Sequence, residues 1–143
     1  MEPHGKIENE EMLEDLMSVP GNGLVEMMGR MDGDIMILGI GGKMGITLGR
    51  QAVNAVHQAG ISKIIGVSRL SDQEGRKKLN QWGIETISCD LLDIEQVKEF
   101  PKVKNIIYMA GRKFGTIGSE PVTWVMNTVI PANVGTFFKG SRI

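Results

Sequence analysis

The stretch DIMILGIGGKMGITLGR, residues Asp34 to Arg50, decides the fold of this chain. Four of the chain's 19 glycines lie in its seven central residues, Gly39 to Gly45. An apolar run precedes these glycines, and apolar residues at helical spacing follow them. The stretch therefore predicts a buried strand, then a flexible loop, then a helix.

The glycines have the spacing of a loop that binds a dinucleotide. Gly39, Gly42 and Gly45 form G-x-x-G-x-x-G, and Gly41 adds a further flexible position. In such loops the first glycine allows a tight turn, the second lets a phosphate approach the backbone, and the third lets the helix pack closely on the sheet. Ordinary turns also use glycines, but a second strand ending roughly 20 residues further on favours dinucleotide binding.

A phosphate-binding loop of the nucleoside triphosphatase type does not fit this stretch. That loop requires a glycine where Ile37 stands and a serine or threonine where Met44 stands. For Lys43 two interpretations stay open, contact with a phosphate and simple solvation. The sequence therefore favours a dinucleotide over a nucleoside triphosphate.

Short apolar runs alternate with helical patterns along the rest of the chain. The runs KIIGVS, IETISC and VKNIIYMA, residues 63–68, 84–89 and 103–110, predict three further strands. Strands that alternate with helices on short loops pair in parallel. We therefore expect an open α/β fold with a parallel sheet, its first four strands in the order 3-2-1-4.

Residues that start and stop helices mark the segments between these strands. We expect Gly60 to end the helix after the first strand. The next helix should open with a capping box from Ser71 to Glu74 and close at Gly83. Asp93 with Gln96 should open a short third helix, and Pro131 should interrupt a long helix that follows Ser119. Ahead of Asp34, apolar residues at helical spacing predict a helical prefix over residues 1–33, packed on a domain of residues 34–143.

Composition narrows the classes of function. The chain has 143 residues, a net charge of -1 and a single cysteine, Cys89. The near-zero charge disfavours nucleic acid as a partner. The lone cysteine excludes an internal disulfide and a cysteine-based zinc site, and we assign no metal. No signal peptide or membrane-spanning run is present in the sequence, so we expect a cytoplasmic protein without a membrane partner.

Five motifs in order resemble a known family. ILGIGGKMG, VSR, ISCDLLD, IIYMAG and VMNT resemble the N-terminal half of an extended short-chain dehydrogenase/reductase, the NAD-dependent epimerase/dehydratase family. The resemblance covers roughly residues 34–143 and implies a Rossmann-like domain that binds NAD or NADP.

The resemblance also implies a set of cofactor-binding residues. In chain order they are Gly39, Ile40, Gly42, Lys43, Met44, Gly45, Ser68, Arg69, Asp90, Leu91, Ala110, Gly111 and Asn127. The first six would hold the pyrophosphate, the next two the adenosine ribose, and the following pair the adenine. Ala110 and Gly111 match the segment beneath the cofactor's ribose and phosphates. Asn127 matches a helical asparagine of the family, for which Asn133 is an alternative.

The end of the second strand bears on the choice of cofactor. A site that prefers NAD usually carries an acidic residue there, whereas this chain has Ser68 and Arg69. Arginine pairs with a 2′-phosphate through two charge-assisted hydrogen bonds, so NADP is favoured. Asp72 keeps NAD as the alternative.

The family's catalytic Tyr-x-x-x-Lys pair does not occur in this chain. Its single tyrosine, Tyr108, lies in a predicted strand and is followed four residues later by Arg112. We therefore assign no catalytic residue and expect a catalytically inert chain that ends where the family's fifth strand would start. Two classes of function stay open. One is the cofactor-binding half of an epimerase/dehydratase or reductase, and the other is a nucleotide-sensing or protein-interaction module.

The predicted sheet also bears on assembly. Without a further strand beside the fourth, the edge of the sheet has unpaired backbone groups. We expect this edge to favour a homo-oligomer over a monomer, unless the prefix or the last helix covers it.

Overall fold

Helices and strands alternate along the chain after two N-terminal helices. The computed structural model describes residues 6–59, 63–113, 115 and 117–143. The elements are α1 Glu10–Met17, α2 Asn22–Arg30, β1 Ile35–Leu38, α3 Lys43–Ala59, β2 Ile64–Ser68, α4 Gln73–Gln81, β3 Glu85–Ser88, α5 Ile94–Lys98, β4 Asn105–Tyr108, α6 Glu120–Trp124, a π-helical turn Val125–Val129 and α7 Ile130–Phe137.

The four strands form one parallel sheet in the order β3-β2-β1-β4. Ile35 of β1 pairs with Ile64 of β2 on one side and with Asn105 of β4 on the other. This confirms the predicted α/β class, the Rossmann-like open sheet and the strand order. The chain fills one side of β1 first and then crosses to the other side, so a crevice opens at the carboxyl ends of β1 and β4.

Both faces of the sheet are covered by helices. Ile35 and Ile37 pack on the side of α2, α3 and α4, whereas Met36 and Leu38 pack on the side of α5 and α7. All four side chains are at most 1% exposed. A strand buried on both faces is apolar at every position, which explains why this run of the sequence does not alternate.

Two of the predicted helix ends are confirmed. Gly83 follows α4 with a φ of +88°, in the left-handed region that favours glycine. The Asp93 carboxylate caps α5, accepting hydrogen bonds from the backbone N of Gln96 at 3.2 Å and from its side-chain Nε2 at 2.6 Å. The predicted end of α3 at Gly60 lies outside the described residues.

The N-cap of α4 differs from the predicted capping box at Ser71. Asp72 is the N-cap, and its Oδ1 accepts a hydrogen bond from the backbone N of Glu74 at 3.0 Å. Serine and aspartate are both good N-cap residues, so either Ser71 or Asp72 could have capped the helix. In the structure Asp72 occupies the N-cap position.

The long last helix is also irregular at a different place from the one predicted. Helical structure continues through Pro131, and the π-helical turn lies immediately before it. A proline ring clashes with the carbonyl four residues earlier in a regular α-helix. The wider π turn relieves that clash, so the helix changes its winding instead of breaking.

The N-terminal helices pack on α3 and α4. Met28 of α2 is 5% exposed and joins the core beneath β1. Asn54 Nδ2 of α3 donates to the carbonyl of Ser18 at 3.0 Å. Two ion pairs, Asp15 with Arg50 and Glu14 with Lys78, tie α1 to the same two helices.

The outer edge of β4 is partly paired. Arg142, near the C-terminus, forms a parallel bridge with Asn105, accepting from the N of Ile106 and donating to the carbonyl of Lys104, both at 2.8 Å. Parallel pairing is the direction expected of a fifth strand. The last residues therefore cover the first half of this edge.

Two kinds of feature are absent from the described residues. None of their helices is both long and apolar enough to cross a membrane. No three His, Cys, Asp or Glu side chains among them are grouped so that they could hold a metal ion.

Candidate functional site

The chain turns out of β1 at Gly39, whose φ is +96°. A Cβ at this position would lie 2.7 Å from the backbone N of Ala110, the second residue after β4. Gly39 itself donates to the carbonyl of Val67 at 2.7 Å. A glycine is therefore required here, both for the turn and for the close approach of the chain after β4.

The other two glycines of the spacing serve different purposes. A Cβ at Gly45 would lie 2.5 Å from the carbonyl oxygen of Ile40, so glycine lets α3 pack against the loop. A Cβ at Gly42 would meet only the carbonyl oxygen of Gly39, at 3.4 Å. The fold thus needs a glycine at 45 but has room for a side chain at 42.

The start of α3 offers unpaired amide groups. α3 begins at Lys43, two residues before the last glycine of the spacing. Within the described part of the chain, the N–H groups of Gly41, Lys43 and Met44 donate no hydrogen bond, whereas Ile40 donates to the carbonyl of Val67 at 3.2 Å. Free N–H groups at the start of a 17-residue helix attract an anion.

Gly41 brings the loop against the end of β2. A Cβ at Gly41 would lie 2.7 Å from Oγ of Ser68. Sequence reasoning treated Gly41 only as a flexible position, because a contact between distant segments leaves no local signal. The glycine loop and the predicted ribose-binding segment are therefore immediate neighbours.

The segment after β2 is held in a defined conformation. Leu70 has a φ of +45°, the one positive φ among the described non-glycine residues, and its side chain is buried. Ser88 Oγ donates to the carbonyl of Arg69 at 2.9 Å, and the N of Cys89 donates to the carbonyl of Ser68 at 3.0 Å. A strained conformation of this kind persists only where its surroundings fix it, and it often occurs at functional sites.

The first turn of α4 borders the same crevice. Gly75 lies there, and a Cβ on it would be 2.7 Å from Oδ2 of Asp72. Arg76 follows, and its Nε donates to Oγ1 of Thr86 on β3 at 3.4 Å. This turn therefore adds one guanidinium and one carboxylate to the site.

The end of β3 contributes Cys89, Asp90 and Leu91. Oδ1 of Asp90 accepts from the backbone N of Leu92 at 3.0 Å and so orders the turn that follows the strand. Burial, followed by the nearby carboxylates of Asp93 and Asp90, raises the pKa of the Cys89 thiol. The thiol therefore stays protonated near neutral pH, which suits a packed residue and not a nucleophile.

The end of β4 is held by Asn127. Oδ1 of Asn127 accepts from the backbone N of Arg112 at 2.8 Å, and its Nδ2 donates to the carbonyl of Arg112 at 2.9 Å. Asn127 lies in the π-helical turn. Its amide thus fixes the loop that carries Ala110 and Gly111, and Asn133, the alternative, makes no hydrogen bond of this kind.

Tyr108 has a structural hydrogen bond. It lies in β4, and its hydroxyl donates to the carbonyl of Met126 at 3.2 Å. Burial raises the pKa of this phenol. The hydroxyl therefore joins β4 to the π-helical turn, and it is a weaker acid than an exposed phenol.

These segments enclose one cavity of about 310 Å³ at the carboxyl ends of the strands. Its volume is at the lower end of the range for small-molecule sites, roughly 300 to 1,000 Å³. Eight of the predicted cofactor-binding residues line it, namely Gly39, Gly42, Ser68, Arg69, Asp90, Leu91, Ala110 and Gly111. The other five, Ile40, Lys43, Met44, Gly45 and Asn127, do not line it.

The sequence analysis missed several residues that line the cavity. Of these, Arg76 has the side chain with the most hydrogen-bond donors for a ligand. Arg76 precedes Leu79, the buried residue of α4, by one turn. Residues three apart share a helix face. That spacing was the available signal that Arg76 points toward the sheet and not toward solvent.

The sequence was also compared with known proteins. No model of a known protein family matches the chain, and no curated protein matches it. The functional proposal therefore rests on the fold and on the residues that line the cavity.

Proposed function

We propose that this chain binds a dinucleotide, NADP in preference to NAD, in the cavity at the carboxyl ends of β1 and β4. The observation that supports this most is the set of unpaired N–H groups of Gly41, Lys43 and Met44 at the start of α3. They lie at the point where the strand order reverses, the usual ligand site of open parallel sheets. A pyrophosphate is the anion that such a loop suits.

The preference for NADP rests on Arg69. Arg69 lines the cavity, and its side chain makes no ion pair with a carboxylate of the described residues. An arginine in this position suits a 2′-phosphate, because both charge and fork geometry match. Asp72, the residue that favoured NAD, accepts the capping hydrogen bond of α4.

We further propose that the chain is the cofactor-binding part of an extended short-chain dehydrogenase/reductase of the epimerase/dehydratase or reductase type, that it is cytoplasmic, and that it forms a homo-oligomer. The bound cofactor would supply the hydride carrier. Tyr108 is engaged with Met126 and provides no proton relay. We therefore expect binding without turnover from this chain, which also suits the alternative of a nucleotide-sensing module.

Calorimetric titration of the purified chain with NADP and NAD tests the proposal. We expect NADP to bind more tightly than NAD to the wild type. Arg69→Ala should lower the affinity for NADP roughly 10- to 100-fold, the effect of losing charge-assisted hydrogen bonds, and should leave the affinity for NAD nearly unchanged.

Two outcomes would contradict different parts of this proposal. Failure of both cofactors to bind the wild type would overturn dinucleotide binding. Equal affinities for the two cofactors, or a preference that Arg69→Ala does not alter, would overturn the NADP assignment alone. NADPH consumption with carbonyl and sugar-nucleotide substrates would overturn the expectation of an inert chain.

A further inference from the structure

Two cations lie over one tryptophan on the side of α3 and α4. Cζ of Arg50 on α3 is 4.7 Å from the centre of the Trp82 ring, and Nζ of Lys78 on α4 is 5.2 Å from it. Trp82 is the C-cap residue of α4 and packs, partly buried, against the core beneath β1. A cation over an indole face is attracted by the ring. Arg50, Lys78 and Trp82 therefore form a fixed basic surface, here called the Trp82 surface.

Helix α1 lies on the Trp82 surface and contacts it through two carboxylates. Asp15 pairs with Arg50, and Oε2 of Glu14 lies 2.5 Å from Nζ of Lys78. The two carboxylates are adjacent on the chain, whereas their partners come from two different helices. The surface thus matches an acidic helix in charge, and α1 shows how such a helix is seated.

The contacts that hold α1 are weak. All eight residues of α1 are at least partly exposed. The four side chains of the two ion pairs are between 25% and 54% exposed. Ion pairs between groups this exposed stabilise little and are screened by salt. A helix of eight residues is also too short to be stable by itself in water.

The chain that follows α1 is anchored separately. Asn54 Nδ2 donates to the carbonyl of Ser18 at 3.0 Å, and Gln51 Nε2 donates to the carbonyl of Val19 at 3.4 Å. Both donors are side chains of α3. Helix α1 can therefore leave the Trp82 surface while the chain from Ser18 onward stays attached to α3.

We propose that the Trp82 surface is a docking site for an acidic helix of a partner protein, and that α1 covers this site until the partner displaces it. The partner helix presents two adjacent carboxylates, one for each cation, as α1 does. A longer amphipathic helix displaces α1 because it carries the same charges and is more stable as a helix. The inference is independent of the proposed function, because the Trp82 surface lies outside the lining of the cavity.

The test follows the two indole N–H resonances of the full chain by NMR. Trp124 on α6, which is 69% exposed, is the internal control for Trp82. Glu14→Lys combined with Asp15→Lys should release α1 and shift the Trp82 resonance alone. A synthetic peptide with the sequence of residues 6–20 should then return this resonance toward its wild-type position. It should bind the double variant roughly fivefold or more tightly than the wild type, in which α1 competes for the surface.

The control ligand is the same peptide with Glu14→Lys and Asp15→Lys, which should leave the Trp82 resonance unmoved. An unshifted Trp82 resonance in the double variant, no response to the acidic peptide, or an equal response to the control peptide would overturn the proposal. If the Trp82 resonance of the double variant returns as its own concentration is raised, the surface binds a second copy and the assignment to a partner protein fails. A thermal melt identifies loss of folding, and Glu14→Gln with Asp15→Asn then replaces the double variant.

Discussion

Gly42 is the last residue before α3 and Gly45 lies in its first turn, yet the space around the two glycines differs. At Gly45 the limit is the protein itself, since a Cβ would be 2.5 Å from a backbone oxygen. At Gly42 the protein leaves room, and the residue lines the cavity. Gly45 therefore serves packing, whereas under the proposed function Gly42 would leave room for a ligand to approach.

Gly42→Val should separate binding from stability. The valine side chain would occupy the place where a phosphate approaches, so we expect the affinity for NADP to fall by roughly tenfold or more. The free energy of unfolding should change by less than about 1 kcal/mol, within the ordinary range for an exposed site. Calorimetric titration and urea unfolding of the same preparation measure the two effects.

Gly45→Ala is the comparison variant. Its methyl group would overlap the carbonyl oxygens of Ile40 and Gly39, at 2.5 and 2.8 Å. We expect it to destabilise the fold by roughly 1 to 3 kcal/mol, as overpacking does. Should Gly42→Val lose stability to the same extent as Gly45→Ala, the special role of Gly42 in binding is unsupported.

For single residues, the sequence predicted the role of those that lie in a distinctive local pattern. The glycine spacing identified Gly39 and Gly45 because turns and close packing exclude other residues. It did not identify the contact of Gly41 with Ser68, or the position of Arg76 in the cavity, because both depend on how distant segments meet. The cap of α4 at Asp72 was misplaced by one residue, since two neighbouring side chains were suitable.

At the scale of the secondary-structure elements, the π-helical turn supports the loop that follows β4. It carries Asn127, whose side chain makes two hydrogen bonds to the backbone of Arg112. It also carries Met126, whose carbonyl accepts from Tyr108. The turn therefore connects the last helix to both β4 and the loop that follows it.

Asn127→Ala should loosen that loop. Losing the two hydrogen bonds leaves the N–H and carbonyl of Arg112 without this partner, and we expect a destabilisation of about 1 to 2 kcal/mol. The amide of Arg112 should exchange with deuterium faster, and NADP should bind more weakly because Gly111 lines the cavity. Hydrogen exchange and titration measure these effects.

Asn133→Ala serves as the control, because Asn133 lies on the same helical segment and its side chain makes no hydrogen bond within the described residues. It should leave both measurements nearly unchanged. Identical behaviour of the two variants would show that Asn127 does not position the loop.

The elements themselves were largely predictable. Apolar runs separated by helical patterns predicted four strands, and parallel connections left few strand orders to choose from. The π-helical turn was not predictable in the same way. Pro131 indicates a local irregularity, but whether a helix breaks or widens depends on the packing of Ile130 and Val134 against the sheet, which keeps the helix in place.

For the molecule as a whole, the outer edge of β4 is the part of the sheet that bears on our proposal of a homo-oligomer. Arg142 pairs with the first half of this edge. Further along, the carbonyl of Ile106 and the N–H of Tyr108 face the same way by strand alternation and have no backbone partner in the described part of the chain. Within the described residues neither the prefix nor the last helix pairs with these groups, so the edge is paired only with Arg142, over its first half.

The surface beside this edge is apolar. A cavity of about 330 Å³ lies there, lined by Met27, Ile106 and Ile143 among others. Met27 is 49% exposed and Ile143 is 61% exposed. Asn105 also lines this cavity. Its Oδ1 is buried and accepts no hydrogen bond from the described residues, which costs roughly 1 to 3 kcal/mol.

We therefore predict that the chain associates with a second copy through the outer edge of β4, because pairing would satisfy backbone groups and cover apolar side chains together. Light scattering should give twice the mass of the chain at high concentration. Met27→Lys combined with Ile143→Lys should shift the midpoint of association to a concentration at least about tenfold higher, since burying a lysine opposes pairing.

Val19→Lys is the control variant for this prediction. It changes an exposed apolar residue between α1 and α2 and should leave association unaffected. A wild-type monomer at high concentration, or equal effects of the edge variant and Val19→Lys, would show that this edge is not the interface.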